Sequence, residues 1–212
     1  MHSHDALSPH ASHAPLAEPR EKYRVIRDDS LIELPAVNFI STNLRSKRVP
    51  WCYMAYTVAD SDNFFHHGCC HLYEVRDIWF YSHNLLQKGP RGPNYKNNID
   101  YQMLSAIESL GFIPEFDTHE LIRAQANCVH RTEKAQITPA HRDFDGAGCV
   151  YVYYVNDADG DTILFDDDGN IEATITPAAG HILRMDSTQW HCQTTPIRTD
   201  RRMVINLNFK EK

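Results

Sequence analysis

Residues 138–156 read TPAHRDFDGAGCVYVYYVN, a possible metal-ligand pair followed by a β-prone run. One residue separates His141 from Asp143, and the run after them is rich in valine and tyrosine, which favour strands. Side chains two positions apart in an extended segment point to the same face. The sequence therefore predicts that both side chains face one site, and both residue types can ligate a metal ion.

The composition around this stretch is that of a soluble globular domain. Hydrophobic residues make up 42% of the 212 residues and charged residues 23%, which is ordinary for a single domain with a full core. Residues 1–21 are rich in histidine, alanine, proline and serine without periodicity. This predicts a disordered tail before a single domain at 22–212. The formal net charge of −7 argues against nucleic acid as a partner.

The expected location is the cytoplasm. No apolar run reaches the length of a membrane span, and the first 20 residues lack the apolar core of a signal peptide. The six cysteines follow no CxxC spacing and are expected to be reduced thiols. The oligomeric state is left open.

Short apolar segments bounded by glycine, proline, aspartate or asparagine predict that strands dominate the chain. These segments are residues 23–40, 49–58, 120–129, 149–156, 161–165, 171–176, 180–186 and 202–209. Many short strands at even spacing are typical of a β-sandwich or jelly-roll barrel. The predicted fold class is mainly β with flanking helices.

Three other segments stand out before the last strands. Residues 98–111 predict a helix, whose apolar face would hold Tyr101, Leu104, Ile107 and Leu110. Residues 87–98 are rich in glycine, proline and asparagine and predict a loop long enough to serve as a lid. The cluster from His66 to His71 resembles a metal site, but adjacent ligands diverge and no second pair has zinc-finger spacing.

A candidate for the third metal ligand lies in residues 180–196, GHILRMDSTQWHCQTTP. His191 follows a strand-like segment, 48 residues after Asp143. Two histidines and one carboxylate on one face of an octahedron leave open positions, an arrangement that indicates a non-haem Fe(II) oxygenase.

The last strand offers a cation for a cosubstrate of such an enzyme. Electrons for an open iron usually come from 2-oxoglutarate, whose distal carboxylate needs a buried cation, ideally arginine. In RRMVINLNF, alternation places Arg202 on a polar face with Asn206, and the apolar residues on the opposite face. Arg201 points the other way and is expected at the surface.

The order of these motifs resembles the 2-oxoglutarate/Fe(II)-dependent oxygenases, in particular their prolyl-4-hydroxylase-like branch. The resemblance is carried by LIRAQANCVHRTEK, HRDFD, YYVNDADGDTILFDD, GHILRMDSTQWHCQTT and RMVINLNF, and it extends over residues 49–209. It is closer still to oxygenases encoded by marine and cyanobacterial bacteriophages. It implies a double-stranded β-helix of cupin-like type, in the cytoplasm of a bacterial or phage-infected cell.

The resemblance also implies roles for individual residues. His141, Asp143 and His191 would bind Fe(II) and form the catalytic centre. Arg202 and Tyr154 would bind the distal carboxylate of 2-oxoglutarate, and Asn206 is a further candidate for that contact. The implied reaction uses O2 to hydroxylate a C–H bond and releases succinate and CO2.

Two departures from the family pattern surround the predicted cosubstrate arginine. Pro196 stands five residues after His191, one later than in the family, and the glycine before the basic residue is absent. Asp143 is intact, which argues against the halogenating relatives, where a small residue replaces it.

The substrate and two alternative functions stay open. The substrate would be a protein side chain, with prolyl as one option, or a small molecule. Arg123 and Asn127 are candidates for the barrel mouth. The alternatives are a jelly-roll metal- or ligand-binding module without oxidative turnover, and a cupin-type metalloenzyme that does not use 2-oxoglutarate.

Overall fold

The computed structural model describes residues 22–27, 34–47, 49–54, 74–75, 80–89, 92–95 and 98–212. Its strands are β1 (Tyr23–Ile26), β2 (Cys52–Met54), β3 (Glu74–Val75), β4 (Phe80–Gly89), β5 (Gly92–Tyr95), β6 (His119–His130), β7 (Gln136–Ile137), β8 (Gly148–Tyr154), β9 (Thr162–Phe165), β10 (Ile171–Ile175), β11 (Ile182–Asp186), β12 (His191–Gln193) and β13 (Arg201–Glu211). Its helices are α1 (Pro35–Arg45), α2 (Asn98–Glu108) and α3 (Glu115–Thr118).

Two antiparallel sheets form the core of the fold. The major sheet has the strand order β1-β11-β8-β13-β6-β4-β2, with β5 paired to β4, and the minor sheet has the order β10-β9-β12. Side chains of β8, β11 and β13 from the major sheet pack with Leu164 and Ile175 from the minor sheet. Residues 137–141 lie along the other edge of β12. This arrangement confirms the predicted jelly-roll class.

The side chains of β13 point alternately to the helical layer and to the space between the two sheets. Its residues Met203, Ile205, Leu207 and Phe209 join one buried cluster with apolar residues of α1 and α2. Val204 belongs instead to the cluster between the two sheets. Burial of an aliphatic or aromatic side chain contributes about 1.5–3 kcal/mol, so both faces of this strand stabilise the fold. The prediction of helices packed on an outer face of the barrel is confirmed.

The predicted strands from residue 120 onward are confirmed to within two residues at each end. The strand predicted over residues 23–40 is wrong in its second half, because α1 begins at Pro35. Proline is favoured in the first helical turn, where its missing N–H is not needed. Val37, Ile40 and Leu44 then recur at helical spacing and are buried.

The loop predicted at 87–98 is also wrong for most of its length. β4 extends to Gly89 and pairs with β5, from Leu86 opposite Tyr95 to Gly89 opposite Gly92. The segment is therefore a hairpin at the side of the major sheet. This pairing satisfies backbone groups that a loop would leave to water.

The helix predicted at 98–111 is confirmed as α2, and Gly111 follows it with a φ of +72°. One apolar assignment is wrong, because Tyr101 is 56% exposed while Met103 is fully buried.

Several predictions fall outside the described residues or remain without a test. The N-terminal tail at 1–21 and the cluster from His66 to His71 belong to the parts of the chain that are not described. Of the strand predicted at 49–58, the structure describes β2, and residues beyond 54 are not described. No helix in the described ranges is long and apolar enough to cross a membrane.

Candidate metal and cosubstrate site

A cavity of about 360 Å³ lies between the two sheets. Its wall is formed by β6, β8 and β13 of the major sheet, by β9 and β12 of the minor sheet, and by residues 141–143. Every residue that the sequence predicts as a metal ligand reaches this cavity. So do Arg202, Asn206, Arg123 and Asn127.

The three predicted metal ligands converge at one end of the cavity. One ligand atom from each of His141, Asp143 and His191 lies within 4.8 Å of the others. The backbones of His141 and His191 exchange two N–H···O hydrogen bonds of 2.9 and 3.0 Å, which hold the rings 4.5 Å apart. Asp143 lies in a bend after this bridge, outside any strand. The two side chains of HRD face one site as predicted, but they converge at a bend of the chain and not through the alternation of an extended segment.

The two histidines are oriented by the same local contact. Nδ1 of His141 lies 3.1 Å from the carbonyl of Pro139, and Nδ1 of His191 lies 3.0 Å from the carbonyl of Gln189. A carbonyl can only accept a hydrogen bond, so Nδ1 carries the proton in both rings and the Nε2 lone pair is free. Burial, assisted by the neighbouring His191, lowers the pKa of His141 to about 4. Its imidazole is thus neutral near pH 7, as a metal ligand requires.

Asp143 completes a donor set that suits a divalent cation. Burial acts to raise the pKa of Asp143, but electrostatic interactions with His191, Arg123 and His141 outweigh it, and the pKa lies below its usual value. Oδ1 accepts a long hydrogen bond of 3.3 Å from Nη2 of Arg123. Oδ2 is buried without a hydrogen-bond partner. A buried ionised oxygen beside two free imidazole nitrogens is the arrangement that a cation would satisfy.

Arg202 is a buried cation whose hydrogen-bond partners are all neutral. Its side chain is 2% exposed, and its guanidinium donates to the Gly160 carbonyl at 2.9 Å, to Thr162 Oγ1 at 2.8 Å and to Gln193 Oε1. Burial lowers the pKa of Arg202, yet arginine keeps its charge in proteins. Within the described part of the chain, no carboxylate forms an ion pair with it. Such a cation favours an anion in the cavity.

Neighbouring Arg201 is exposed, as the alternation predicts. Arg202 lines the cavity with Asn206, whose Oδ1 is buried without a hydrogen-bond partner.

Tyr154 does not line the cavity, although the resemblance implies a direct contact with the cosubstrate. It is fully buried, and its hydroxyl donates to Thr162 Oγ1 at 2.9 Å. Arg202 donates to the same oxygen, so both lone pairs of the Thr162 hydroxyl are occupied. The remaining proton of Thr162 is therefore free to donate into the cavity.

Thr162 and Gln193 accept hydrogen bonds from Arg202 in the cavity, and the sequence analysis missed both. Gln193 is two residues after His191 on β12, so the same alternation that selected Arg202 would have found it. Thr162 lies opposite Gln193 in the pairing of β9 with β12. That pairing is not visible in the sequence, because a register shift of one residue would turn Thr162 to the other face.

No protein family model and no curated protein matches this chain. Its fold is similar to solved structures of low sequence identity. A 2OG-Fe(II) oxygenase family oxidoreductase from Burkholderia pseudomallei superposes with a TM-score of 0.63 at 13% identity, covering 89% of this chain and 85% of that one. A prolyl hydroxylase from Trichoplax adhaerens, in complex with a peptide fragment of the hypoxia inducible factor oxygen degradation domain, gives a TM-score of 0.55 at 14% identity. That match covers 90% of this chain and 84% of the other. The chain therefore has the jelly-roll fold of these oxygenases.

Proposed function

We propose that the protein is an Fe(II)- and 2-oxoglutarate-dependent dioxygenase that hydroxylates a C–H bond of its substrate. One observation carries this proposal: a two-histidine, one-carboxylate cluster shares a cavity with a buried arginine that lacks a carboxylate partner among the described residues. The cluster suits Fe(II), and the arginine suits the distal carboxylate of a dicarboxylic acid. The fold shared with known oxygenases supports the same function.

The bound iron and cosubstrate would supply the oxidation of the C–H bond by O2, with release of succinate and CO2. His141 and His191 would offer Nε2, held in place by the hydrogen bonds of their Nδ1 atoms to backbone carbonyls. Asp143 would contribute the negative charge that complements the cation.

The cosubstrate would lie with its distal carboxylate at Arg202. Thr162 would donate its free proton to that carboxylate, and Tyr154 would act behind Thr162 by fixing its hydroxyl. Asn206 lines the same cavity and would contact the cosubstrate through its side-chain N–H, since 2-oxoglutarate offers only acceptors. The buried setting strengthens each of these electrostatic contacts.

The substrate is proposed to be a protein side chain or a small molecule. The Trichoplax prolyl hydroxylase was solved with a peptide, which supports a peptide substrate and keeps prolyl as one option. The reaction is proposed to take place in the cytoplasm of a bacterial or phage-infected cell. The free thiols of Cys52, Cys128, Cys149 and Cys192 are consistent with a reducing compartment. The net charge of −7 disfavours nucleic acid as the partner.

Anaerobic addition of Fe(II) and 2-oxoglutarate to the purified protein tests the proposed function. The expected result is a visible metal-to-ligand charge-transfer band that requires both additions, followed by succinate release when O2 is admitted. A band without succinate, even with a substrate library present, would favour a binding module. Absence of the band would favour a metalloenzyme of cupin type that does not use 2-oxoglutarate.

Adjacent arginines provide a matched pair of variants for the cosubstrate contact. Arg202→Ala should weaken 2-oxoglutarate binding by roughly 30-fold or more, because loss of one partner of a buried charged pair costs about 2 kcal/mol or more. Arg201→Ala removes an exposed arginine next to it and should leave the affinity within about twofold. Titration of the charge-transfer band measures both affinities. Equal losses in the two variants would contradict the assignment of Arg202.

A further inference from the structure

A second arginine of the cavity, Arg123, lies beside the proposed iron ligands. Its Nη2 donates to Asp143 Oδ1 at 3.3 Å, which is a long hydrogen bond, and its side chain stays 32% exposed. It is one of three consecutive cavity-facing residues of β6, with Gln125 and Asn127. The cosubstrate arginine is on a different strand, β13, and contacts a separate set of partners. Arg123 is therefore separate from the contact proposed for the distal carboxylate of the cosubstrate.

The charge of the cavity exceeds what iron and cosubstrate can balance. The charged residues among its described lining are Arg123, Arg142, Arg202 and Asp143, so three positive charges and one negative charge leave a net charge of +2. Fe(II) adds two positive charges and 2-oxoglutarate two negative charges, which cancel. The net charge of +2 would remain in the loaded site, although the whole chain carries −7.

The excess charge is located on the iron side of the cavity. Arg123 shares the carboxylate of Asp143 with the proposed Fe(II), so bound metal would draw that negative charge away from the guanidinium. Arg142 lies at the rim, with its guanidinium 4.7 Å above the Trp190 ring and 39% of its side chain exposed. The carboxylate of its neighbour Asp145 is 4.0 Å away and 96% exposed, so it offsets the positive charge of Arg142 only weakly. A cationic guanidinium next to a dication favours a further anion.

We propose, building on the proposed function, that the substrate carries a carboxylate group that Arg123 binds next to the iron. Arginine presents a planar set of donors that matches a carboxylate, and its partial exposure lets an incoming group reach it. A cavity of about 360 Å³ is near the lower end of ligand pockets and is partly filled by the cosubstrate. The anionic group is therefore of side-chain size: a small carboxylic acid, or the acidic side chain of a peptide.

Binding to protein loaded with Mn(II) and saturating 2-oxoglutarate tests this inference without turnover. One probe pair is butyrate and butyramide. The other is a blocked pentapeptide of glycines with aspartate at its centre and the same peptide with asparagine. Calorimetric Kd values should favour the carboxylate of at least one pair by about tenfold, or 1.4 kcal/mol. The pair that shows the preference distinguishes a free acid from a peptide side chain.

Three variants connect the preference with this arginine. Arg123→Gln should abolish it, and Arg123→Lys should restore part of it because the positive charge is kept. Arg131→Gln is the control, since Arg131 is exposed and directly follows β6. Circular dichroism and the Kd of 2-oxoglutarate verify that each variant is folded, because Arg202 is unchanged in all three.

Two results would overturn the inference: equal Kd values within each probe pair for the unmodified protein, or an undiminished preference in Arg123→Gln. Failure of the proposed function has a different signature, namely absence of the charge-transfer band with Fe(II) and 2-oxoglutarate. A normal band together with equal Kd values would count against the carboxylate site alone.

Discussion

Thr162 connects two buried donors through a single oxygen. Arg202 and Tyr154 both donate to its Oγ1, at 2.8 and 2.9 Å. Thr162→Val keeps the shape but leaves both donors without this acceptor, so the free energy of unfolding should fall by about 1–3 kcal/mol. Affinity for 2-oxoglutarate should also fall, by roughly tenfold, because the free hydroxyl proton is lost. Urea denaturation and titration of the charge-transfer band measure the two effects.

Thr162→Ser is the control for this hydroxyl. Serine keeps the oxygen and its proton and should retain most of the affinity for 2-oxoglutarate, with a modest loss of stability from the missing methyl group. If valine and serine variants bind 2-oxoglutarate equally well, Thr162 does not contact the cosubstrate.

The site residues that could be predicted from the sequence are those whose facing direction follows from their spacing to a near neighbour. His141 and Asp143 are two positions apart, and Arg202 was separated from Arg201 by alternation alone. The structure brings all three predicted metal ligands into one cavity with Arg202. Tyr154 shows the limit of this reasoning, because it packs with Val150 and Val152 on the predicted face but is fully buried and does not line the cavity. The side chain of Thr162 lies between the Tyr154 hydroxyl and the cavity, and only the pairing of β9 with β12 reveals this position.

The pair of His83 and Asp100 joins a strand to a helix. Nε2 of His83 on β4 lies 2.8 Å from Asp100 Oδ1 in the first turn of α2, and Nδ1 lies 3.2 Å from the Pro50 carbonyl. Both side chains are almost fully buried, at 3% and 0% exposure. His83→Ala should lower the free energy of unfolding by about 2–3 kcal/mol, because it removes a buried hydrogen bond to the Asp100 carboxylate. Chemical denaturation at pH 7 measures this loss.

His130, at the end of the adjacent strand β6, is the control for that pair. It is exposed and contacts the Tyr81 ring edge-on, at 5.4 Å between ring centres. His130→Ala should cost about 1 kcal/mol or less. Similar losses in the two variants would show that the contact of β4 with α2 does not depend on His83.

Helices and strands could be predicted where the spacing of apolar residues fitted only one of the two. The strands of the second half are short segments rich in apolar residues, and all of those predicted there are confirmed. α1 was mistaken for a strand because Val37 and Ile40 are β-branched, although their spacing fits a helix that begins at Pro35. β5 was missed because Gly92 and Pro93 are typical of loops, yet its pairing with β4 makes it a strand.

Across the molecule, both sheets contribute to the proposed site. His191 lies on β12 of the minor sheet, Arg202 on β13 of the major sheet, and His141 on the segment that flanks β12. The number and even spacing of the short strands predicted the fold class, since such a pattern has few other solutions. The polar cavity between the two sheets is lined by side chains that are far apart in sequence. From the sequence, their convergence could be inferred only through the resemblance of the motif order to a known family.

Because the site spans both sheets, bound metal and cosubstrate should stabilise the whole fold. A ligand that binds only the folded state, at 100 times its Kd, adds about 2.7 kcal/mol, or roughly 5–10 °C in Tm for a chain of this size. Mn(II) should raise Tm, 2-oxoglutarate should raise it further, and EDTA should reverse both increments. His191→Ala should abolish the metal increment, whereas Arg202→Ala should reduce only the increment from 2-oxoglutarate, to about a third or less. Thermal denaturation measures each case, and an undiminished 2-oxoglutarate increment in Arg202→Ala would place the cosubstrate elsewhere.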